Sequence, residues 1–454
     1  MINATQLFKI ALPIILQNFL SSFVNMLDTI MVGQLGSVDI AAVGLGNQVF
    51  FVMNLMVFGA VSGGSIFISQ FWGKKDFEGI HRTTGIMLCV SVAITLFFTI
   101  VASVIPEYCL RLYSKDPEVI KKGADYLRAV APSYLFFGLS FAFANAERST
   151  EHVTLPAIAT ICSVIVNAVL NYILIFGIKA TGADGNSIVI IKAYGVTGAA
   201  IATVFSRIVE ALIVFVFAYV RKYEVAVAPS KFFVKQPGFL SKYVKICIPV
   251  LINESLWGIG ISMQSSIFAH SGTDVIAAFN INSTVSNLLW PICLGCGSAT
   301  AILVGKTIGQ GKYKEAEKLA KNLCALITLI ALVLGLLLIP LTKVLPFIFK
   351  VESEVIAMAS VFLIMKAAVY SLDSFNMCSV VGVFRSGGDT IFALLMDVGL
   401  MWGVALPLGW LAVLVWHFPY WAVYACILIE PLCKAVLGFI RLMSGKWLHD
   451  VTEG

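Results

Sequence analysis

Runs of about 20 apolar residues, separated by short polar links, recur from one end of the chain to the other. A helix of about 20 residues rises about 30 Å, the thickness of a bilayer's hydrocarbon core. On that measure the chain reads as about twelve spanning helices, near 8–34, 45–70, 86–106, 125–146, 156–178, 194–220, 244–270, 279–306, 321–347, 356–383, 390–415 and 419–443. The period-two alternation of a membrane barrel is absent. The longest polar connection, RKYEVAVAPSKFFVKQPGF at 221–239, carries two prolines and divides the chain into two halves of six spans, 1–228 and 229–454.

The halves repeat. ALPIILQNF (11–19) sits over CIPVLINES (247–255), and GSVDIAAV (36–43) over GTDVIAAF (272–279). Gly59, Ser62 and Gly73 sit over Gly295, Ser298 and Gly309 in the same ungapped register, and Arg148-Ser149 over Arg385-Ser386 one residue further on. An even number of spans per half gives both halves the same orientation, so they are expected to be parallel repeats about an axis along the membrane normal. Transporters of this design hold substrate between the halves and rock them about it.

Composition agrees with the pattern. The chain is 59% hydrophobic and only 12% charged, where an ordinary soluble domain carries roughly 25% charged residues. The first apolar run is too long for a cleavable signal. The net charge of +6 does not point to nucleic acid, because the basic residues gather in loops. With the N-terminus inside, the inner loops hold the larger share of Lys and Arg, which places both termini in the cytoplasm and the protein in the plasma membrane. A monomer is expected, in contact with membrane lipids. The ten cysteines are scattered, mostly inside apolar runs, and read as small core residues. Cys293 and Cys296 form a CxxC without a nearby His or acidic ligand, so that pair reads as packing.

No enzyme constellation is present. The five histidines are dispersed, and there is no HExxH, GxSxG or P-loop sequence. The intramembrane polar residues carry more information. A carboxylate inside a span costs about 2.5–3.5 kcal/mol on insertion-based scales, so such residues usually face the bundle interior with a partner or an ion. In the first half these are Asp28 on the first span, Asn167 and Asn171 on the fifth, and Thr203, Arg207 and Glu210 on the sixth. Asn167 and Asn171 are four apart and share a helix face. With Asp28 and Thr203 they would make an all-oxygen site for Na⁺, or Asp28 would carry a proton. Arg207 and Glu210 read as a structural pair. In the second half Asp28 aligns with Gln264, so the acidic site is not duplicated. That half has Glu254, Lys366, Asp373, Asp397, Glu430 and Lys434 instead. Glu254 and Asp373 have no neutralising neighbour in sequence and are candidates for drawing in a cationic substrate or for proton coupling. Glu430 and Lys434, four apart, read as a structural pair. Met26, Met53 and Trp257 are candidates for an adaptable apolar cavity.

Leu12-Pro13, then Leu27-Asp28-Thr29-Ile30-Met31-Val32-Gly33, then GSVDIAAVGLG, Gln70 with Gly73, GAAIATVFSRIVEA at 198–211 and GVFRSGGDT at 382–390 together resemble the multidrug and toxic compound extrusion (MATE) family. The resemblance runs from the first span to the twelfth. It implies a V-shaped pair of six-helix lobes, all α-helical and membrane-embedded, that exports organic cations and drugs in exchange for Na⁺ or H⁺ and uses no cofactor. It also implies a cation-coupling role for the first-span carboxylate, here Asp28. Asn167, Asn171 and Thr203 match the accompanying polar positions, with Asn171 standing where some members carry Asp. Glu254 lies about a turn nearer its proline than the corresponding acid of the Na⁺-coupled branch, with Trp257 in its place. Asp373 is one residue out of register. The rival expectations are a flippase of lipid-linked precursors, a dedicated metabolite exporter and a membrane-embedded enzyme.

Overall fold

A computed structural model of the chain describes residues 4–181, 187–233, 236–349 and 351–453. The described residues are almost wholly helical. The first half holds α1 (Ala4–Gly33), α2 (Ser37–Lys74), α3 (Phe77–Val104), the short α4 (Pro106–Arg111), α5 (Pro117–Val130), α6 (Pro132–Ser149), α7 (Thr154–Phe176) and α8 (Gly195–Val220). The second holds α9 (Phe239–Ser271), α10 (Thr273–Asn287), α11 (Trp290–Gly309), α12 (Tyr313–Leu341), the short α13 (Leu345–Ile348), α14 (Ser353–Met377), α15 (Thr390–Leu400), α16 (Leu406–Leu414) and α17 (Tyr420–Ser444). One turn of π-helix extends α14 over Cys378–Phe384, and another, Met401–Ala405, joins α15 to α16.

Among the described residues eleven helices are long and apolar enough to cross a membrane, and α5 with α6 makes a twelfth span bent by 49°. The bend has a covalent cause. Pro132 has no N–H and its ring clashes with the preceding turn, so α5 ends and α6 restarts with proline in its first turn. Pro291 similarly opens α11 after a break at Leu288–Leu289. The eighth span, expected as 279–306, is therefore two helices, whereas its repeat partner α2 is one helix of 38 residues. The link expected at 179–193 contains a two-stranded antiparallel ribbon, β1 (Ile178–Thr181) and β2 (Ser187–Ile191), favoured by the β-branched run of the second strand.

The chain divides into two compact units. One comprises residues 16–65 and 77–236, the other residues 1–15, 66–76 and 237–454. In the first, α7 and α8 pack closely because Gly198 leaves room for the Leu174 carbonyl, which a Cβ would approach to 2.4 Å. In the second, an aromatic core gathers Phe268, Phe279, Phe362 and Tyr424, with Phe268 and Phe279 stacked at 4.1 Å. Within that second unit the end of α2 crosses α11 at glycines. A Cβ on Gly73 would lie 2.1 Å from the Lys306 carbonyl oxygen, and one on Gly309 would lie 1.9 Å from that of Gln70. Gly73 and Gly309, like Gln70 and Lys306, are one repeat register apart, so each side of the crossing makes the same contact.

Candidate functional site

In the first unit, Asp28 lies on α1 a turn and a half before the helix ends, half-buried. The Asn171 side-chain amide donates to its carboxylate and, at 3.1 Å, to Asn167 Oδ1. Asn171 is fully buried, and its own Oδ1 has no hydrogen-bond partner. A carboxylate thus stands beside a buried amide oxygen with a free lone pair, a donor set suited to a hard cation or a proton. Thr203 spends its hydroxyl on Ala199 O of its own helix, at 3.0 Å. The α7–α8 register, fixed by Thr160 with Glu210 and Ser163 with Ser206, places Thr203 level with Asn167. Tyr126, buried on α5, donates to Asn47 at 3.3 Å.

The polar face of α7 continues away from Asp28 through Asn171, Asn167, Ser163 and Thr160, all buried and spaced three or four residues apart. It ends in a node joining three helices. Gln17 of α1 donates to Thr160 at 2.9 Å, Thr160 donates to Glu210 of α8 at 3.0 Å, and Arg207 closes on Glu210 at 2.7 Å.

The second unit holds a node of the same plan with other charges. Asn253 of α9 donates to Asp397 of α15 at 2.9 Å, and Lys434 of α17 lies 2.5 Å from Asp397 and also pairs with Glu430. Asn253 is the repeat partner of Gln17, and Asp397 falls one residue past the partner of Thr160. The node thus uses the first, fifth and sixth spans of each half. One version centres on a carboxylate, the other on an ammonium. The shared register of Gln17 and Asn253 was the sequence signal for these nodes, but two neutral amides carry little weight until their partners are known.

Glu254 and Asp373, unneutralised in sequence, both have cations in space. Arg385 meets Glu254 at 2.6 Å, and Lys366 meets Asp373 at 2.7 Å. Trp257 stacks on Trp290 at 5.8 Å, and Met53 is wholly buried in the first unit. The Met26 side chain lies outside the described residues. Cys293 Sγ lies 3.0 Å from both Tyr370 Oη and Ser374 Oγ. Among the described residues no group of three His, Cys, Asp or Glu is arranged to hold a metal ion.

The FRSGGDT segment has a physical explanation. Arg385 is spent on Glu254, and Asp389 pairs with Arg441 at 2.7 Å. Gly387 lies so close to Trp447 that a Cβ would come within 2.3 Å of its carbonyl oxygen, and Gly388 takes φ +78°. Gln70 completes the seat for the C-terminal residues. Its amide donates to Ser386 O at 2.8 Å and His449 O at 3.2 Å, and its oxygen accepts from Val451 N at 2.8 Å. Asp450 pairs with Lys74 at 3.0 Å. Burial raises the Asp450 carboxyl, but hydrogen bonds from Thr452 and the Lys74 ammonium outweigh it and hold the group below the usual carboxylate range.

Comparison with known proteins places these features. The sequence profile of the MatE family matches residues 13–173 and again 250–411, one match in each half. The chain is 24% identical over 400 residues to the probable multidrug resistance protein YoeA of Bacillus subtilis, covering 87% of this chain and 84% of that one. It is 21% identical over 458 residues to the probable multidrug resistance protein NorM of Thermotoga maritima, covering 97% and 92%. A crystal structure of MATE in complex with MaL6 superposes with a TM-score of 0.85 at 19% identity, over 97% of this chain and 96% of that one.

Proposed function

Since this chain belongs to the MatE family and is a multi-pass membrane transporter of the multidrug-efflux type, we propose that it is a secondary antiporter. It exports organic cations or drugs and takes up Na⁺ or H⁺ at Asp28. The observation that supports this most directly is the Asp28 carboxylate held by Asn171, whose buried Oδ1 is left without a partner. Asn167 orients the Asn171 amide, and Thr203 stands level with the pair. In the outward-facing state the ion binds there and lowers the affinity for substrate, and linkage makes the antagonism mutual. Access alternates as the two repeats, 1–228 and 229–454, rock in the plasma membrane with both termini in the cytoplasm. One cation falling through 100 mV contributes about 2.3 kcal/mol, enough to support roughly a 50-fold gradient of a neutral substrate. In the second half Arg385 pairs with Glu254, Lys366 with Asp373, and Lys434 with both Asp397 and Glu430, whereas Asp28 has an amide as its partner, which supports Asp28 as the exchange site.

The test is efflux of ethidium from cells expressing wild type or Asp28→Asn at equal levels, with Na⁺ present or replaced and with or without an uncoupler. Loss of export in Asp28→Asn is the expected result, and the Na⁺ and uncoupler arms name the ion. Normal export by Asp28→Asn refutes the assignment. If wild type moves no dye across a broad panel, a dedicated metabolite or a lipid-linked precursor replaces drugs as the substrate class.

A further inference from the structure

At the far end of the same unit one acid has no place in the scheme above. Glu147 sits in the last turn of α6 with 0% of its surface exposed, and neither carboxyl oxygen has a hydrogen-bond partner. It lies beyond the start of α7, and Asn171 and Asp28 are about 17 residues further along that helix, or roughly 25 Å at 1.5 Å per residue. The α3–α6 register is fixed by Ser91 and Thr95 against Gly138, and by Thr99 donating to Ala131 O at 3.2 Å. Continued along both helices, it brings Thr84 level with Glu147. Thr84 is itself fully buried with an unpartnered hydroxyl. Two orphaned polar groups therefore share one level of the helix pair.

Burying an ionised carboxylate without donors is so costly that the group binds a proton instead. Arg148, the residue after Glu147, donates from Nε to Ala144 O at 3.4 Å and lies over the Phe141 ring at 5.9 Å. From α8, Arg207 is paired with Glu210. In the turn after α6, the His152 backbone N–H donates to Glu147 O at 2.9 Å, and its ring meets Glu224 at 2.8 Å. The His152 ring also stacks on Tyr223 at 3.8 Å. From α3, His81 lies 2.7 Å from Glu224 O, while Arg82 is engaged with Gln236. Glu151, the other charged residue of that turn, is half-exposed with φ +66°. Two imidazoles are thus gathered on Glu224, His152 five residues past Glu147 and His81 about a turn before Thr84.

We propose that Glu147 is a second proton-binding site of the first unit, which exchanges its proton with the aqueous phase past His81 and His152. The exchange breaks the Glu147 O–H bond and gives the proton to a histidine nitrogen and then to water. The carboxylate left behind is compensated by Arg148. The helix that carries Glu147, α6, packs on α8, which supplies Glu210 to the node at Thr160, where the polar face of α7 that ends at Asp28 begins. The proposal rests on the exchange reading above and commits its inner end to a proton.

The test uses the full-length protein in proteoliposomes, with wild type, Glu147→Gln, Glu147→Asp and Asp28→Asn. Infrared difference spectra at neutral pH read the C=O stretch of protonated carboxylic acids. The expected result is a protonated-acid band present in wild type and Asp28→Asn and lost in Glu147→Gln. Ethidium export driven by an imposed proton gradient is lost in Glu147→Gln and recovered in part by Glu147→Asp, while ethidium binding persists. Absence of a Glu147-dependent band overturns the proposal, as does Glu147→Gln exporting with the wild-type response to the gradient. If Glu147→Gln does not fold, the wild-type spectrum against Glu147→Asp decides through a shift of the band. Failure of wild type to move any dye refutes the drug-export reading instead, and the infrared band still decides Glu147.

Discussion

Replacing Arg385 tests what the FRSGGDT segment does. The pair it forms with Glu254 is short, at 2.6 Å, and dry, with side-chain exposures of 3% and 11%. Coulomb's law at an effective dielectric constant of about 20 gives about 6 kcal/mol of attraction at that distance. Desolvation opposes it by several kcal/mol per ion, so the intact pair contributes little net stability. Breaking it is another matter. Glu254→Ala leaves a buried guanidinium with no counter-charge, and Arg385 Nη1 already lacks a partner. The expected cost of either single truncation is about 3–5 kcal/mol, and the double replacement Glu254→Met with Arg385→Met recovers most of it. The assay is unfolding in detergent of the two single variants and the double, read as a double-mutant cycle. Single variants each costing less than about 1 kcal/mol, the range of an exposed pair, would refute the reasoning. A double variant that is stable and still exports dye would show that Glu254 is structural.

Two further outcomes follow from the same geometry. Gly309→Ala drives a Cβ into the Gln70 carbonyl, so it lowers the unfolding midpoint by the equivalent of about 1–3 kcal/mol. Gly399→Ala, with nothing within 4 Å on a helix, is neutral or stabilising; equal effects at both sites sink the argument. The depressed Asp450 carboxyl stabilises the seat of the C-terminal residues at neutral pH, and that contribution is lost as the pH falls through its folded value, below the usual carboxylate range. The protection of the His449 and Val451 amides, measured against the intrinsic exchange rate at each pH, should therefore fall on acidification, and Asp450→Asn should show the lower protection already at neutral pH. A Lys74–Asp450 pair of no consequence would leave both profiles alike.

The spans were legible because a bilayer admits few alternatives. About 20 apolar residues flanked by polar links fold as a helix wherever backbone groups must be satisfied internally. The breaks at Pro132 and Pro291 were passed over, because hydropathy carries 125–146 and 279–306 as continuous apolar runs, although a proline's missing N–H is local chemistry. Asp28 with Asn167 and Asn171 was readable as a group because carboxylates and amides are rare and costly at that depth. The partners were not readable. Arg385 is 131 positions from Glu254, Thr160 is 143 from Gln17, and a pairing across helices leaves no trace in either local stretch. Glu147 was passed over for the opposite reason. It stands next to an arginine in sequence, which suggests a solvated pair, and only packing shows that no donor reaches it.

The crossing of α2 and α11 has a consequence for how such a chain arose. Gly73 faces the Lys306 carbonyl and Gly309 faces that of Gln70, so the contact is self-complementary. That is the geometry of an isologous interface, in which two identical subunits present the same patch to each other across a two-fold axis. Two half-length chains with this glycine would meet there without any change of residue. In one chain that holds both copies the two sides can differ, as Gln70 and Lys306 do: Gln70 seats the C-terminal residues. The glycines have not diverged, because a side chain on either one would strike the backbone of the other.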